Sequence, residues 1–151
     1  MLLLVQDRKS TQAMDDVLEA GASGSVAIGS YALGALTSGI GNVAIGYQAL
    51  VAAATSDYNT AVGYQALTAV NSNDTGYNTA VGYQAGLAAT SGIYNVAIGS
   101  GAGDTLTTGS SNTAVGAVSL SIATTALNNT AVGFNAMSDV VADVAVDGCV
   151  A

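Results

Sequence analysis

Few side chains in this sequence are of the kinds that do chemistry. The chain has no histidine and one cysteine, Cys149, and between residues 25 and 137 its charged residues are Asp57, Asp74 and Asp104. These carboxylates stand at unlike offsets within the repeated segments, so they do not predict a shared metal site. Without histidine, a Ser/His/Asp or Cys/His arrangement is excluded, and no carboxylate pair recurs. The sequence therefore predicts a protein that is not an enzyme and has no metal or other cofactor.

Side-chain amides recur at a fixed place in the chain and form the first candidate site. Asparagine begins six similar phrases, of which NVAIGYQAL and NTAVGYQAL are examples. The six residues are Asn42, Asn59, Asn78, Asn95, Asn112 and Asn129. Amides repeated in this way favour a structural ladder, in which each side chain bonds to the next copy. The alternative is a row that binds glycans.

Aromatic residues recur at two further places in the phrase. Tyr47, Tyr64, Tyr83 and Phe134 follow its glycine, whereas Tyr58, Tyr77 and Tyr94 precede its asparagine. We interpret the first set as a stacked column used for packing or subunit contact, with sugar binding as the alternative. The second set is placed for an outer rim.

The charge distribution excludes two classes of partner. The formal net charge is −8, and the only basic residues, Arg8 and Lys9, precede the repeats. Nucleic-acid binding needs clustered Lys and Arg, and so does attraction to an anionic membrane surface. No apolar run approaches the roughly 20 residues that span a bilayer, and the opening MLLLV is too short for a secretory signal. We therefore expect no nucleic acid, no membrane insertion and no signal peptide.

The phrases form a repeat with a nearly constant period. Each phrase contains one marker glycine, and the seven are Gly29, Gly46, Gly63, Gly82, Gly99, Gly116 and Gly133. Successive markers are 17, 17, 19, 17, 17 and 17 residues apart. This spacing predicts a repeat domain over residues 25–137, with an N-terminal cap or attachment segment over 1–24. Residues 138–151 are interpreted as a degenerate final coil or C-terminal cap, and Thr11–Ala20 as a short helix.

Each repeat is predicted to form one coil of an all-β fold. Alternating small and aliphatic residues favour strands, and a glycine in every unit disfavours helix. Seventeen residues suit two short strands and two turns, which predicts a parallel β-solenoid, or β-roll, with 17-residue coils. Seven such coils about 4.8 Å apart would stack to roughly 34 Å. The residues expected to fill the roll are Ile28, Ile45, Val62, Val81, Ile98, Val115 and Val132.

The other face of the predicted strands carries only methyl groups. Its residues are Ala27, Ala44, Ala61, Ala80, Ala97, Ala114 and Ala131. With two or three medium-sized apolar side chains per coil, a lone coil stack is expected to be poorly stable. A flat alanine column lets another backbone approach closely, and exposed uncharged strands associate. We therefore expect this column to be the inter-chain face of a homotrimer.

The repeated phrases also carry a resemblance to known repeat proteins. SVAIG, NVAIG and NTAVG resemble the head repeats of YadA-like trimeric autotransporter adhesins, and NTAVGYQAL is similar to repeats in phage tail-fibre proteins. The resemblance covers residues 25–137 and implies a left-handed β-roll, filled by valine and isoleucine, with three rolls packed side by side. The adhesin repeat is usually shorter than the 17 residues found here.

These features together predict a structural module. Our first hypothesis is the shaft or receptor-binding part of a phage tail fibre on a virion, joined to other tail proteins through residues 1–24 and mediating attachment to a host-surface glycan or protein. The second is a secreted bacterial trimeric adhesin or surface-filament subunit, located outside the cell or on its surface. The third is a monomeric solenoid that binds ice or a small ligand, suggested by Thr60, Thr79, Thr113 and Thr130.

Overall fold

The computed structural model describes residues 24–71, 76–122 and 124–138, which form a parallel β-solenoid of about six turns. Its strands are β1 (Val26–Ile28), β2 (Val43–Ile45), β3 (Thr60–Val62), β4 (Thr79–Val81), β5 (Val96–Ile98), β6 (Thr113–Val115) and β7 (Thr130–Val132). They pair in chain order in one sheet, and each pair is parallel. The predicted all-β solenoid is therefore confirmed for these residues. We number the coils 1 to 7 after their marker glycines.

The strands align residue for residue along the stack. Val43 pairs with Thr60, and Thr60 pairs with Thr79. The second pairing keeps its register although two extra residues separate these strands. The chain is back in register by Gly76, whose N–H donates to the carbonyl of Asp57 at 3.0 Å.

Among the described residues, each coil contains one strand of three residues, which corrects the prediction of two strands per coil. The second segment of the phrase is a series of turns, with Gln48 at φ 55° and Leu50 at φ 51°. Residues in the left-handed region of φ/ψ space cannot continue a pleated strand. The turns still bond to the next coil, since the N–H of Leu33 donates to the carbonyl of Ala49 at 3.0 Å.

The strand alanines point into the coil, so the prediction that they form an inter-chain face is wrong. Ala44, Ala61, Ala80, Ala97, Ala114 and Ala131 are buried within one chain, and Ala27 is partly buried. The methyl groups of Ala80 and Ala97 lie 3.8 and 3.6 Å from the points where a Cβ on Gly86 and Gly103 would stand. The opposite wall of the coil is therefore so near that little more than a methyl group fits at this position.

The larger strand residues point outward, so the prediction that valine and isoleucine fill the roll is also wrong. The first outward column is Val26, Val43, Thr60, Thr79, Val96, Thr113 and Thr130, and the second is Ile28, Ile45, Val62, Val81, Ile98, Val115 and Val132. All of them are partly or largely exposed. Because side chains alternate along a strand, an inward alanine places both of its neighbours outside. We call these two columns the outer strand face.

Leucines complete the narrow core. Leu33, Leu50, Leu67 and Leu120 are buried at the end of the second segment. Glycine replaces leucine in coils 4 and 5, but the side chain of Leu67 reaches to 2.7 Å from the Cβ position of Gly86. Leu106 similarly comes within 3.0 Å of the Cβ position of Gly103. The core therefore stays filled where the repeat loses its leucine.

The marker glycines are required by two separate features of the backbone. Their φ angles lie between 123° and 139°, a region that side-chain-bearing residues rarely adopt. At six of the seven, an added Cβ would also come within 3.0 Å of the carbonyl group of the next marker. Each coil therefore touches the next at this point with no room for a side chain.

The predicted helix Thr11–Ala20 lies outside the described residues. The same holds for the predicted cap over 1–24, apart from Gly24, and for residues 138–151, apart from Ser138.

Candidate interaction surfaces of the solenoid

The asparagines of the repeat form one ladder inside the solenoid. The backbone N–H of each asparagine from Asn59 onward donates to Oδ1 of the asparagine one coil earlier, at 2.9–3.1 Å. The side-chain amides of Asn42, Asn78, Asn95 and Asn112 also donate to a carbonyl 14 residues further on, at 2.6–2.8 Å. In coil 1, the hydroxyl of Ser25 accepts from the N–H of Asn42 at 3.1 Å and replaces the missing asparagine.

This ladder holds the coils together and does not face a ligand. Its six asparagines are at most 6% exposed. An unsatisfied buried amide group costs about 1–3 kcal/mol, so a buried and bonded amide holds neighbouring coils in register. The geometry therefore supports the structural interpretation of these residues rather than a glycan-binding row.

The outer strand face is an apolar surface that the single chain leaves partly exposed. Val26, Val81, Ile98 and Val132 expose 38, 36, 39 and 57% of their surface. Threonine is the only polar residue type on the face, and no charged residue belongs to it. Contiguous exposed apolar surface in a soluble protein marks a site of interaction.

A first tyrosine column follows the marker glycines in coils 2 to 4. Tyr47, Tyr64 and Tyr83 stack with ring centroids 5.2 and 5.4 Å apart and planes 16° and 8° from parallel. The column stops at Tyr83 because the next two coils carry Ser100 and Ala117 at this position. Tyr83 is 53% exposed, and Phe134 in coil 7 is 80% exposed. The last ring of the column therefore has no aromatic neighbour on its coil-5 side.

A second tyrosine column precedes the asparagines and forms an outer rim. Tyr58, Tyr77 and Tyr94 stack at 5.2 Å, with planes 9° and 4° from parallel. Tyr94 ends this column, is 53% exposed and is followed by Ser111 in the next coil. The two columns thus end in tyrosines of equal exposure.

A glutamine ladder runs beside the first tyrosine column and was missed by the sequence analysis. Nε2 of Gln65 donates to Oε1 of Gln48 at 2.8 Å, and Nε2 of Gln84 donates to Oε1 of Gln65 at 2.9 Å. The next coil has Gly101 at this position, so Oε1 of Gln84 accepts no hydrogen bond from the described residues. The signal was present in the sequence, since glutamine recurs one place after each of these tyrosines.

Asp104 lies next to the end of this ladder. Its Oδ2 is 3.8 Å from the Cβ position of Gly101, and its Oδ1 is buried with no hydrogen bond from the described part of the chain. Burial raises the pKa of this carboxyl above its ordinary value of 3.8, although the backbone N–H groups of Asp104 and Thr105 act in the opposite direction. The carboxyl group therefore has unused capacity to accept a hydrogen bond.

Asp57, the other described carboxylate of the coils, plays a structural part. Oδ1 of Asp57 accepts from the backbone N–H of Ile40 at 2.7 Å, one coil earlier. Asp74 lies outside the described residues. Within the described ranges, no group of three or more Cys, Asp or Glu side chains is placed to hold a metal ion. Nor does any helix in those ranges have the length and hydropathy to cross a bilayer.

Comparisons with known proteins do not assign the chain to a family. No family model matches it, and no curated protein or solved structure is detectably similar to it.

Proposed function

We propose that this chain is a structural rod module whose outer strand face packs against identical chains in a homotrimer. The observation that carries the proposal is the apolar outer strand face, with Ile98 still 39% exposed in the single chain. The alanine column is already buried within the coil and cannot contact another chain. In this proposal, the outer strand face on the opposite side of the strands is the contact surface. Cyclic symmetry gives each chain the same contact and closes the assembly.

Charge supports identical chains as the occupants of this face. With a net charge of −8, two copies repel each other wherever charged surfaces meet. The outer strand face has no charged residue, so two copies that meet through it bring no like charges together. A second copy also presents columns with the same coil-to-coil spacing of about 4.8 Å, so side chains can interdigitate along the whole stack.

We further propose that the rod belongs to a phage tail fibre and mediates attachment of the virion to its host. One support is the resemblance of NTAVGYQAL to tail-fibre repeats. The other is the surface of the solenoid, on which glutamine and tyrosine side chains form ladders along the stack. The second candidate remains a bacterial trimeric adhesin, which the resemblance of SVAIG and NVAIG to adhesin head repeats favours.

Light scattering after gel filtration tests the assembly. We expect a mass near three times 14.6 kDa, about 44 kDa. The double variant Val81→Lys/Ile98→Lys places two charges on the outer strand face and is expected to give monomers, because a buried unpaired charge is costly. Ser91→Lys, in an exposed turn, is the matched control and keeps the trimer.

Two results would contradict the assembly. A wild-type mass of 14.6 kDa would exclude the trimer and favour the monomeric ligand-binding solenoid. A double variant that still forms trimers would show that another surface holds the chains together. The biological setting is tested separately, by immunogold labelling with an antibody against residues 25–137. Label on virion tails supports the fibre, and label on the bacterial surface supports the adhesin.

A further inference from the structure

Two side-chain ladders end at the same step of the solenoid. The tyrosine column ends at Tyr83 and the glutamine ladder ends at Gln84, the next residue in the chain. The coil that follows carries Ser100 and Gly101 at these positions, so neither ladder is continued. One face of an aromatic ring and one amide oxygen are therefore open side by side.

Asp104 adds a second acceptor at this step. Its Oδ2 lies 3.8 Å from the point where a side chain on Gly101 would begin. We call Tyr83, Gln84, Gly101 and Asp104 the coil-5 site. The site differs from coils 2–4, where each tyrosine and each glutamine meets its own copy in the next coil.

We infer that the coil-5 site binds a neutral pyranose ring, as part of a glycan on the surface to which the fibre attaches. A pyranose ring has an apolar face of C–H groups, and this face fits the exposed ring of Tyr83. Its edge carries hydroxyl donors for Oε1 of Gln84 and the carboxyl of Asp104. The tyrosine rings stack at 5.2–5.4 Å, so a ring that continues the column would take the place left by Ser100.

The chemistry of the site selects against anionic sugars. Its two polar groups accept hydrogen bonds, and no basic side chain lies in the described residues, while the whole chain has a net charge of −8. An anionic sugar such as a sialic or uronic acid would bring its carboxylate close to Asp104, which is repulsive. A neutral hexose or N-acetylhexosamine avoids this repulsion and keeps its hydroxyl donors.

The inference rests on the proposed attachment role but is tested by a separate measurement. Methyl β-glucopyranoside, methyl β-galactopyranoside and N-acetylglucosamine are titrated into the isotope-labelled full chain, with glucuronic acid and N-acetylneuraminic acid as anionic comparisons. We expect at least one neutral sugar to shift the amide signals of Ser100, Gly101 and Asp104, with a Kd of about 1 mM. The two acids are expected to leave these signals unchanged.

Two matched variants test whether sugar binding depends on the coil-5 site or on any exposed tyrosine at the end of a column. Tyr83→Ser installs the residue found one coil later at the same position, and we expect it to weaken binding about tenfold, because it removes the ring against which the sugar packs. Tyr94→Ser does the same at the end of the second column, where exposure is also 53%, and should leave affinity unchanged.

A further variant fills the site without removing any group from it. Gly101→Gln continues the glutamine ladder, and Gly101 has φ 64° where the equivalent Gln84 has φ 53°, so glutamine fits the backbone. We expect this variant to fold normally and to lose binding, because its amide occupies Oε1 of Gln84.

Several results would overturn the site. These are the absence of shifts at Ser100 and Gly101 with every neutral sugar, equal losses in Tyr83→Ser and Tyr94→Ser, or full binding by Gly101→Gln. A Tyr83→Ser variant that changes the mass of the assembly instead of sugar binding would assign Tyr83 to a subunit contact. Trimers without sugar binding refute only the site, whereas sugar-binding monomers refute only the assembly.

Discussion

Coils 2–4 and coils 5–6 have the same backbone path but present different side chains to the solvent. Both regions keep the buried strand alanine, the buried asparagine and the marker glycine. Outside, coils 2–4 carry the first tyrosine column and the bonded glutamines, whereas coils 5–6 carry Ser100, Gly101, Ala117 and Val118 at the same positions.

This difference distinguishes two sets of residues. The buried residues, which both regions share, stabilise the solenoid, whereas the exposed residues, which differ, determine the surface of each coil. Inside the coil, each position touches its own copy above and below, so a change in one coil disturbs two neighbours. Outside, a ladder can stop without altering the strand register, as the pairing of β4 with β5 shows. The break in the outer ladders at coil 5 is therefore compatible with a local function.

Loss of a ladder asparagine is expected to have the largest effect and to be equal in the two regions. Asn78→Ala removes the acceptor for the N–H of Asn95 and the donor to the carbonyl of Gly92. Asn112→Ala removes the equivalent bonds to Asn129 and Ala126. With two buried groups left unsatisfied, we expect each variant to lower the free energy of unfolding by about 2–5 kcal/mol. Urea denaturation at one fixed protein concentration measures this loss.

Gln65→Ala is the control for the asparagine variants. It removes a ladder amide that is only half-buried, between Gln48 and Gln84. We expect a loss below about 1 kcal/mol. If Asn78→Ala lowers the free energy of unfolding by several kcal/mol and Asn112→Ala does not lower it, the asparagine ladder does not stabilise the two regions equally. The comparison then fails.

Enlarging the strand alanine is expected to have the second largest effect, again in both regions. Ala61→Val in coil 3 and Ala114→Val in coil 6 each add two methyl groups at a fully buried position. Overpacking of this kind costs about 1–3 kcal/mol. The same urea titration checks it.

The adjacent outer position provides the matched control. Thr60→Val changes a residue next to Ala61, and the chain already has valine at the equivalent position in two other coils, at Val43, which pairs with Thr60, and at Val96. We expect a change within about 0.5 kcal/mol. Tolerance of valine at position 61 together with sensitivity at position 60 would reverse the assignment of the inward and outward faces of the strand.

The sequence predicted the coil but not which side of its strand is inside. The 17-residue period determines the strand register, and the recurring asparagine predicts its ladder. Hydrophobic size favoured valine and isoleucine as the interior residues. That argument fails because the lumen is narrow, and its width depends on the opposite wall at Gly86 and Gly103. One signal was available: the alanine never varies, whereas both outer columns change residue type.

The candidate site was less accessible to sequence reasoning than the fold. The tyrosine columns and the glutamine ladder follow the period and can be found by alignment of the repeats. The coil-5 site depends on a deviation from that period, and Asp104 occurs at its repeat position only once. Its proximity to Gly101 follows from side-chain packing, which a single carboxylate in a turn does not indicate.

The smallest expected effect on stability comes from Asp104, the acidic residue of the coil-5 site. Because burial holds the pKa of its carboxyl above 3.8 in the folded state, the unfolded chain loses this proton first as the pH rises. The contribution of Asp104 to stability is therefore complete below pH 3.8 and is lost as the pH rises through the folded-state pKa. We expect Asp104→Asn to raise the melting temperature slightly at pH 7 and to leave it unchanged at pH 3. Asp104→Ser should behave in the same way. Serine is the residue that the next coil has at the equivalent position, Ser121. A gain of equal size at both pH values would trace the effect to packing instead of to the buried carboxylate.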